Sequence, residues 1–190
     1  MTLINSMGSH SLWMPIKKKF HWPGTLIIRE SPNLYKDLDI ILHRFKYYDY
    51  FIFVSEIVQN KWLEYNVIDK EKSFYIPNCI WEEKTSKVAK LSKTDVKKKL
   101  FGNNDNFISI CSGEIKYRKG QDLIIKNLKA ICNLIPNFKL ILLGRKNQAF
   151  FNKLNKILLN SGLKEKVEYI HHKPNAIEYI YAADVLLQPS

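Results

Sequence analysis

Two glycine turns in the second half of the chain carry the side chains best suited to chemistry. The first holds Gly113, Arg118 and Lys119, and the second holds Gly144 and Arg145. A glycine that leaves a buried strand lets a ligand approach the backbone, and a cation near the next helix adds to its positive end. In α/β proteins this pattern binds phosphate groups. The spacing by itself leaves an ordinary turn with a solvated lysine about equally open.

A pair of histidines, His171 and His172, follows a later apolar run. Adjacent residues on an extended segment point to opposite sides, and no Cys, Asp or third His lies at metal-ligand spacing. We therefore expect no metal, and we expect His171 to lie beside the ligand, mainly through its backbone groups. Arg29 and Glu30 are either a functional pair or a surface salt bridge. Because no Ser-His-Asp set, Cys-His pair or P-loop is present, the catalytic residues are unknown at this stage.

The elements that position these residues alternate between strand and helix. Apolar runs predict buried strands, and apolar residues at helical spacing predict amphipathic helices, one of them capped by Ser55. We predict strands at 25–28, 50–54, 74–76, 107–111, 138–143, 167–170 and 185–187, and helices at 38–45, 56–65, 120–134, 151–161 and 177–182. This alternation predicts an α/β fold with doubly wound parallel sheets, in which ligands bind at the carboxyl ends of the strands.

A lysine-rich stretch separates the two α/β pieces. Its lysines interrupt any continuous apolar face, and Gly102, Asn103 and Asn104 follow as turn residues. We predict an interdomain connection at 81–105, after an N-terminal domain at 1–80 and before a C-terminal domain at 106–190. The lysines are interpreted as a solvated helix face rather than as a binding patch.

The charge of the chain limits its partners. A net charge of +12 suits nucleic acid, an anionic membrane surface or a phosphorylated small molecule. The basic residues are 26 Lys and 4 Arg, whereas base recognition relies on arginine forks, so nucleic acid is not expected. The run Lys17–Lys19 is interpreted as a solvated loop, with a lipid-binding patch as the alternative.

The location of the chain is predicted from its cysteines and its first residues. Cys79, Cys111 and Cys132 are odd in number and far apart, which argues against a disulfide framework and for a reducing compartment. The first lysines come after the apolar residues of the N-terminus, the reverse of a secretory signal. We expect a cytoplasmic protein, with peripheral contact at the inner face of the membrane left open.

With these residues in hand, the chain resembles the family 4 (group 1) glycosyltransferases. These are retaining enzymes of the GT-B architecture, in which two Rossmann-like domains face each other across a cleft. Five matches occur in the family's order and are together fairly specific. The matching segments are Phe51–Glu56, Tyr75–Asn78, Gly113 with Lys119–Asp122, Leu142–Gly144, and Tyr181–Val185 with Pro189–Ser190.

The resemblance implies transfer of a sugar from a nucleoside diphosphate donor to a glycan or lipid-linked acceptor, with no cofactor or metal. The family neutralises the leaving diphosphate with an arginine directly after the first glycine and a lysine before the second. Lys119 matches the lysine, but Glu114 stands at the arginine position, which leaves open whether Arg118 compensates. Arg29 stands where many members have a histidine. The implied donor site comprises Gly113, Arg118, Lys119, Gly144 and His171.

The resemblance also implies that both domains are incomplete. In the family, two glutamates that contact the donor follow the segment matched by Pro189–Ser190, and residues 1–80 resemble only the latter half of an acceptor domain. We expect a fragment that is inactive by itself. The alternative class is a basic nucleotide- or polyanion-binding α/β module without catalysis. A Rossmann-type oxidoreductase is disfavoured because no Gly-x-Gly-x-x-Gly follows a predicted strand.

Overall fold

The computed structural model of the chain describes residues 2–80, 82–102 and 105–189. It divides into two compact units, one over residues 1–80 and one over residues 81–190. Ser190 of the last matching segment and the turn residues Asn103 and Asn104 lie outside the described residues.

The first unit is built on a parallel sheet with the strand order β1-β2-β3-β4. Its strands are β1 Thr2–Ile4, β2 Gly24–Ile28, β3 Tyr50–Phe53 and β4 Ser73–Tyr75, and its helices are α1 His10–Phe20, α2 Leu38–Phe45 and α3 Glu56–Leu63. Strand residues that alternate along β2 and β3 share one face of the sheet. On that face Leu26 and Phe53 are fully buried and pack in one core with Trp62 of α3.

The second unit contains a parallel sheet with the strand order β7-β6-β5-β8. Its strands are β5 Phe107–Ser112, β6 Phe138–Leu143, β7 Val167–Ile170 and β8 Val185–Leu186. Its helices are α4 Glu82–Ala89, α5 Lys93–Phe101, α6 Gln121–Lys126, α7 Leu128–Leu134, α8 Gln148–Ser161 and α9 Ala176–Ala182. Both faces of β5 and β6 are buried, in two separate clusters. The predicted α/β fold with parallel sheets is confirmed.

The beginning of the chain differs from the prediction, because β1 and α1 were not foreseen. Lys17–Lys19 form the last turn of α1 rather than a loop. Pro15 within the helix and the lysines weaken the sequence pattern. The helix is held by tertiary contacts: Trp13 is buried, and its indole N–H donates to the Tyr47 carbonyl oxygen at 3.2 Å.

The lysine-rich stretch also forms helices, α4 and α5, and both pack on α9 of the second unit. The Tyr181 hydroxyl donates to the Leu91 carbonyl oxygen at 2.9 Å, and Lys97 forms an ion pair with Asp184 at 2.7 Å. The function of residues 81–105 as an interdomain connection stays a prediction.

Two further local predictions were wrong. The helix expected over 120–134 is interrupted at Asn127, whose side-chain amide donates to the Leu123 carbonyl oxygen at 2.8 Å and separates α6 from α7. Such local side-chain bonds compete with helix geometry. Ser55 precedes α3 in an extended conformation, but its side chain makes no capping hydrogen bond.

Candidate functional site

The two central strands of the second unit end side by side in glycine turns. Gly113, after β5, has a φ of 135°, and Gly144, after β6, has a φ of 152°. This region of backbone conformation strongly favours glycine. A Cβ atom at Gly144 would lie 1.9 Å from the carbonyl oxygen of Gly113. Gly144 therefore allows the two turns to touch.

Backbone hydrogen bonds continue past the ends of the strands and hold the two turns together. The Gly113 N–H donates to the Leu143 oxygen at 2.9 Å, and the Ile115 N–H donates to the Arg145 oxygen at 2.8 Å. In the opposite direction the Asn147 N–H donates to the Ile115 oxygen at 3.0 Å. The turns are thus a fixed extension of the sheet, at the strand ends where α/β proteins bind ligands.

A cavity of about 280 Å³ opens at these turns. It is lined by Ser112, Gly113, Glu114, Leu143, Gly144, Arg145, His172 and Ala176. The backbone N–H groups of Glu114 and Arg145 donate to no group in the part of the chain that the structure describes. Unpaired amides beside a guanidinium are suited to an anionic ligand, because both supply donors to its oxygens.

The carboxylate of Glu114 is surrounded by positive charge. Its side chain forms an ion pair with Lys116. The hydrogen bond that Lys116 donates to this carboxylate is the main cause that lowers the pKa of Glu114. The nearby charges of Arg145 and Arg118 lower the pKa further. Glu114 thus lies near three cations, of which Arg145 also lines the cavity.

Lys119 lies at the end of a 3₁₀ turn, Tyr117–Lys119, that leads into α6. Burial raises the pKa of the Cys111 thiol, whereas the charge of Lys119 and a hydrogen bond from Gln121 act in the opposite direction. The Lys119 ammonium thus acts on the end of β5, although Lys119 does not line the cavity. Gln121 is buried, and its side-chain amide donates to the Glu114 carbonyl oxygen at 3.1 Å.

The structure brings together some of the predicted donor-site residues. Gly113 and Gly144 meet at the cavity, where the neighbouring His172 takes the place expected for His171. Arg118 and Lys119 stand on the adjacent 3₁₀ turn and outside the cavity lining. The assignment of these five residues to a donor site stays a prediction.

Sequence reasoning did not identify every residue of the cavity. Arg145 was grouped with its glycine by position. Gln121 is outside the cavity lining but donates to the Glu114 carbonyl oxygen, and the sequence placed it in a matching segment without a role. Ser112 and Ala176 carry no signal, because only the fold brings the start of α9 to the end of β5. Arg29 is no partner of Glu30: its guanidinium donates to the backbone and side-chain oxygens of Asn5, at 2.9 and 2.7 Å.

The described residues lack two features, a cluster of metal-ligand side chains and a helix that could span a membrane. No group of three or more His, Cys, Asp or Glu side chains is placed to hold a metal ion within the described parts of the chain. Among the helices that the structure describes, none is long and apolar enough to cross a membrane.

The fold and the cavity together define a class of protein. Two Rossmann-like α/β units follow one another, and the second has glycine turns, unpaired amides and cations at the carboxyl ends of its central strands. Such features occur in proteins that bind phosphorylated ligands at the carboxyl ends of parallel strands.

Comparison with known proteins identifies the family. The model of the glycosyl transferases group 1 family matches residues 92–190, which are more than half of the chain. The chain belongs to this family of glycosyltransferases.

Individual proteins show the same relationship. An uncharacterized glycosyltransferase of Methanocaldococcus jannaschii is 24% identical over 167 residues, which are 82% of this chain and 39% of that protein. A structure of Anabaena HepE, in complex with UDP and glucose, has a TM-score of 0.81 and 17% identity over 99% of this chain and 52% of its own. A structure of WaaG, a glycosyltransferase involved in lipopolysaccharide biosynthesis, has a TM-score of 0.67 and 14% identity, covering 94% of this chain and 56% of its own.

These likenesses show that the fold is of the GT-B type. The chain spans 39% of the length of the curated relative and about half of the solved chains.

Proposed function

We propose that the chain is part of a glycosyltransferase that moves a sugar from a nucleoside diphosphate donor to an acceptor. The observation that carries this proposal is the cavity at the touching turns of Gly113 and Gly144. A diphosphate there would accept hydrogen bonds from the amides of Glu114 and Arg145 and would face the Arg145 guanidinium. HepE, which shares the fold, was solved with UDP and glucose, and this supports a uridine nucleotide as the first probe.

In this proposal the predicted residues act together at the diphosphate. Lys119 and Arg118 add positive charge from the turn before α6, and such charge stabilises a leaving diphosphate as it develops in the transition state. His172 lines the cavity, and the proposal gives the preceding residue, His171, a contribution through its backbone beside the ligand. Glu114 reduces the net charge of the site, so we expect Arg118 and Arg145 together to replace the arginine that the family has at this position.

The finer points of the proposal are supported by family membership. We propose a hexosyltransferase that retains the anomeric configuration and needs no cofactor or metal. A glycan or a lipid-linked sugar is the proposed acceptor, and we propose a cytoplasmic location. We expect the 190 residues to bind the donor without transferring sugar on their own, because they span about half of the solved relatives.

Calorimetric titration of the chain with UDP tests the donor site. Replacement of Arg145 or Lys119 by alanine should weaken binding about tenfold, since a hydrogen bond to a charged group is lost. Lys153→Ala is the matched control, because Lys153 is an exposed cation on α8 that does not line the cavity. Equal loss in all three variants, or no binding of UDP by the parent chain, would contradict the proposal.

The second candidate function is a basic module that binds polyanions without catalysis, and the net charge of +12 favours it. Such binding would fall steeply with added salt. Duplex DNA binding that is sensitive to salt but indifferent to Lys119→Ala would support this alternative. The donor site instead predicts that UDP binds the chain and that Lys119→Ala weakens this binding sharply.

A further inference from the structure

The peptide group that joins Gly144 to Arg145 is not held by the backbone of the sheet. The peptide group before it is held because the Gly144 N–H donates to the Ile170 oxygen at 3.0 Å. The peptide group after it is held because the Arg145 oxygen accepts from the Ile115 N–H at 2.8 Å. The joining peptide group lies between these two and has no backbone partner among the described residues.

A side chain of the neighbouring strand holds this peptide group instead. The Tyr169 hydroxyl, on β7, donates to the Gly144 carbonyl oxygen at 2.9 Å. In the part of the chain that the structure describes, no other group donates to that oxygen. The orientation of the joining peptide group therefore depends on one phenol.

The direction of the Tyr169 hydroxyl is fixed by the packing of its ring. The centroid of the Phe151 ring, on α8, lies 4.9 Å from the centroid of the Tyr169 ring. The Lys146 ammonium lies 5.0 Å from the centre of the Tyr169 ring and 4.5 Å from the centre of the Phe151 ring. Because the phenol contacts both an aromatic ring and a cation, it has little freedom to turn away from Gly144.

The direction of the Gly144 carbonyl group decides where the Arg145 N–H points. A trans peptide group is planar, so its C=O and its N–H point to opposite sides. Tyr169 and Phe151 line a second cavity, of about 240 Å³, on the side of the sheet that α8 covers. The Gly144 oxygen points to that side, and the Arg145 N–H consequently points to the other side, where Ala176 of α9 lines the first cavity.

We propose that Tyr169 is a positioning residue for the donor site, and this inference rests on the proposed function. Its hydroxyl holds the joining peptide group in the orientation that aims the Arg145 N–H at the diphosphate. Gly144 has no Cβ atom to restrict this peptide group, so the group can turn over when nothing holds it. In the reversed orientation a carbonyl oxygen faces the diphosphate and repels its oxygens.

Loss of the hydroxyl favours the reversed orientation. The Gly144 oxygen then has no donor on the α8 side, and an unpaired carbonyl group away from water is costly. Turning over brings this oxygen to the open cavity and removes the Arg145 N–H from it. Only the molecules that keep the original orientation can bind the diphosphate, so the apparent dissociation constant rises as their fraction falls.

Calorimetric titration with UDP compares two tyrosine variants. Tyr169→Phe should weaken UDP binding roughly five- to tenfold, since one hydrogen bond holds the binding-competent orientation. The matched control is Tyr181→Phe, which also removes a hydroxyl that donates to a backbone oxygen at 2.9 Å, that of Leu91. Tyr181 does not line the cavity, so this control should bind UDP like the parent chain.

Nuclear magnetic resonance of the chain without ligand tests the orientation itself. We expect one sharp amide resonance for Arg145 in the parent chain and in Tyr181→Phe. In Tyr169→Phe this resonance should move or show exchange between two states on the microsecond to millisecond timescale. A merely structural loss would instead broaden resonances throughout β7 and α8. Circular dichroism should show that both variants are folded.

Three results would overturn the proposal. Tyr169→Phe could bind UDP as tightly as the parent chain. Both variants could weaken binding equally, in which case the loss reflects general loosening of the unit. An unchanged Arg145 resonance in Tyr169→Phe would show that the peptide group keeps its orientation without the hydroxyl. If the parent chain does not bind UDP, the proposed function fails, and the Arg145 resonance alone then decides whether Tyr169 holds the peptide group.

Discussion

At Gly144 the backbone of one turn meets the backbone of another, and there is no room between them for a methyl group. Gly144→Ala would place Cβ 1.9 Å from the Gly113 oxygen at a φ that alanine rarely adopts. We expect it to lower the free energy of unfolding by roughly 3 to 5 kcal/mol and to abolish UDP binding. Gly162→Ala is the control: its φ is also positive but its Cβ meets nothing, so it should cost about 1 kcal/mol. Denaturant titration measures both.

Replacement of Glu114 shows whether its carboxylate competes with the diphosphate for the nearby cations or holds those cations in place for it. In the proposed donor site its carboxylate competes with the diphosphate for Lys116, Arg145 and Arg118. Glu114→Gln should therefore strengthen UDP binding roughly two- to fivefold at low salt, as expected for one exposed charge. Glu168→Gln, which removes an exposed carboxylate paired with Lys139, should leave UDP binding unchanged. Weaker binding by Glu114→Gln would mean that Glu114 holds its cations in place for the ligand.

Both units contain the same arrangement, in which an aspartate binds a lysine of a helix and the backbone of a neighbouring strand. Asp49 precedes β3 and accepts hydrogen bonds at 2.7 Å from the Gly24 N–H and from Lys17 of α1. Asp184 precedes β8 and accepts the same two kinds of bond, also at 2.7 Å, from the Ile108 N–H and from Lys97 of α5. Each aspartate thus joins a helix to the start of the neighbouring strand.

Replacement of Asp184 tests this joint in the second unit. Burial alone would raise the pKa of Asp184, but hydrogen bonds from Lys97 and the Ile108 N–H and the Lys97 charge lower it overall. Asp184→Asn should lower the free energy of unfolding by about 1 to 2 kcal/mol at neutral pH. Glu168→Gln, whose carboxylate forms an exposed ion pair, should cost well under about 1 kcal/mol.

The effect of Asp184→Asn should depend on pH. Because the folded pKa lies below the ordinary value of 3.8, the carboxylate stabilises the fold fully above that value. The contribution is lost as the pH falls from 3.8 through the lower folded pKa, so parent and variant should converge in stability there. A difference that persists under these acidic conditions would assign the effect to packing.

The molecule as a whole has a separate core in each unit. The core of residues 1–80 contains the buried indoles Trp13 and Trp62, and the core around β5 and β6 contains no tryptophan among its described members. Emission from these indoles therefore reports on the first unit. The second unit can be followed by UDP binding.

Leu140→Ala tests whether the two cores unfold separately. Leu140 is fully buried in the second unit, so truncation should cost that unit about 2 to 5 kcal/mol. In a Trp81→Phe background we expect the emission transition to keep its midpoint while the loss of UDP binding moves to lower denaturant. A parallel shift of both signals would show that the units unfold together.

Strands with continuous apolar residues were predictable from the sequence, and so was the alternation that makes both sheets parallel. β5 and β6 read as buried because both of their faces are covered. β1 and α1 were not predicted because long-range contacts, such as that of Trp13 with Tyr47, stabilise this part of the chain. A short segment with an internal proline shows little helical periodicity, so its sequence does not reveal such contacts.

The residue types of the proposed donor site were likewise visible in the sequence, but their arrangement was not. The turns after β5 and β6 could be located by their glycines, because a buried strand that ends in glycine is a local pattern. The histidine that lines the cavity and the approach of Arg145 to Glu114 depend on the packing of segments about 30 residues apart. The sequence by itself determined the α/β class, the family and the two glycine turns, since these depend on local composition and order. Only the tertiary structure decided the contact between the two turns and the approach of Arg145 to Glu114, because each is a relation across space between residues distant in the chain.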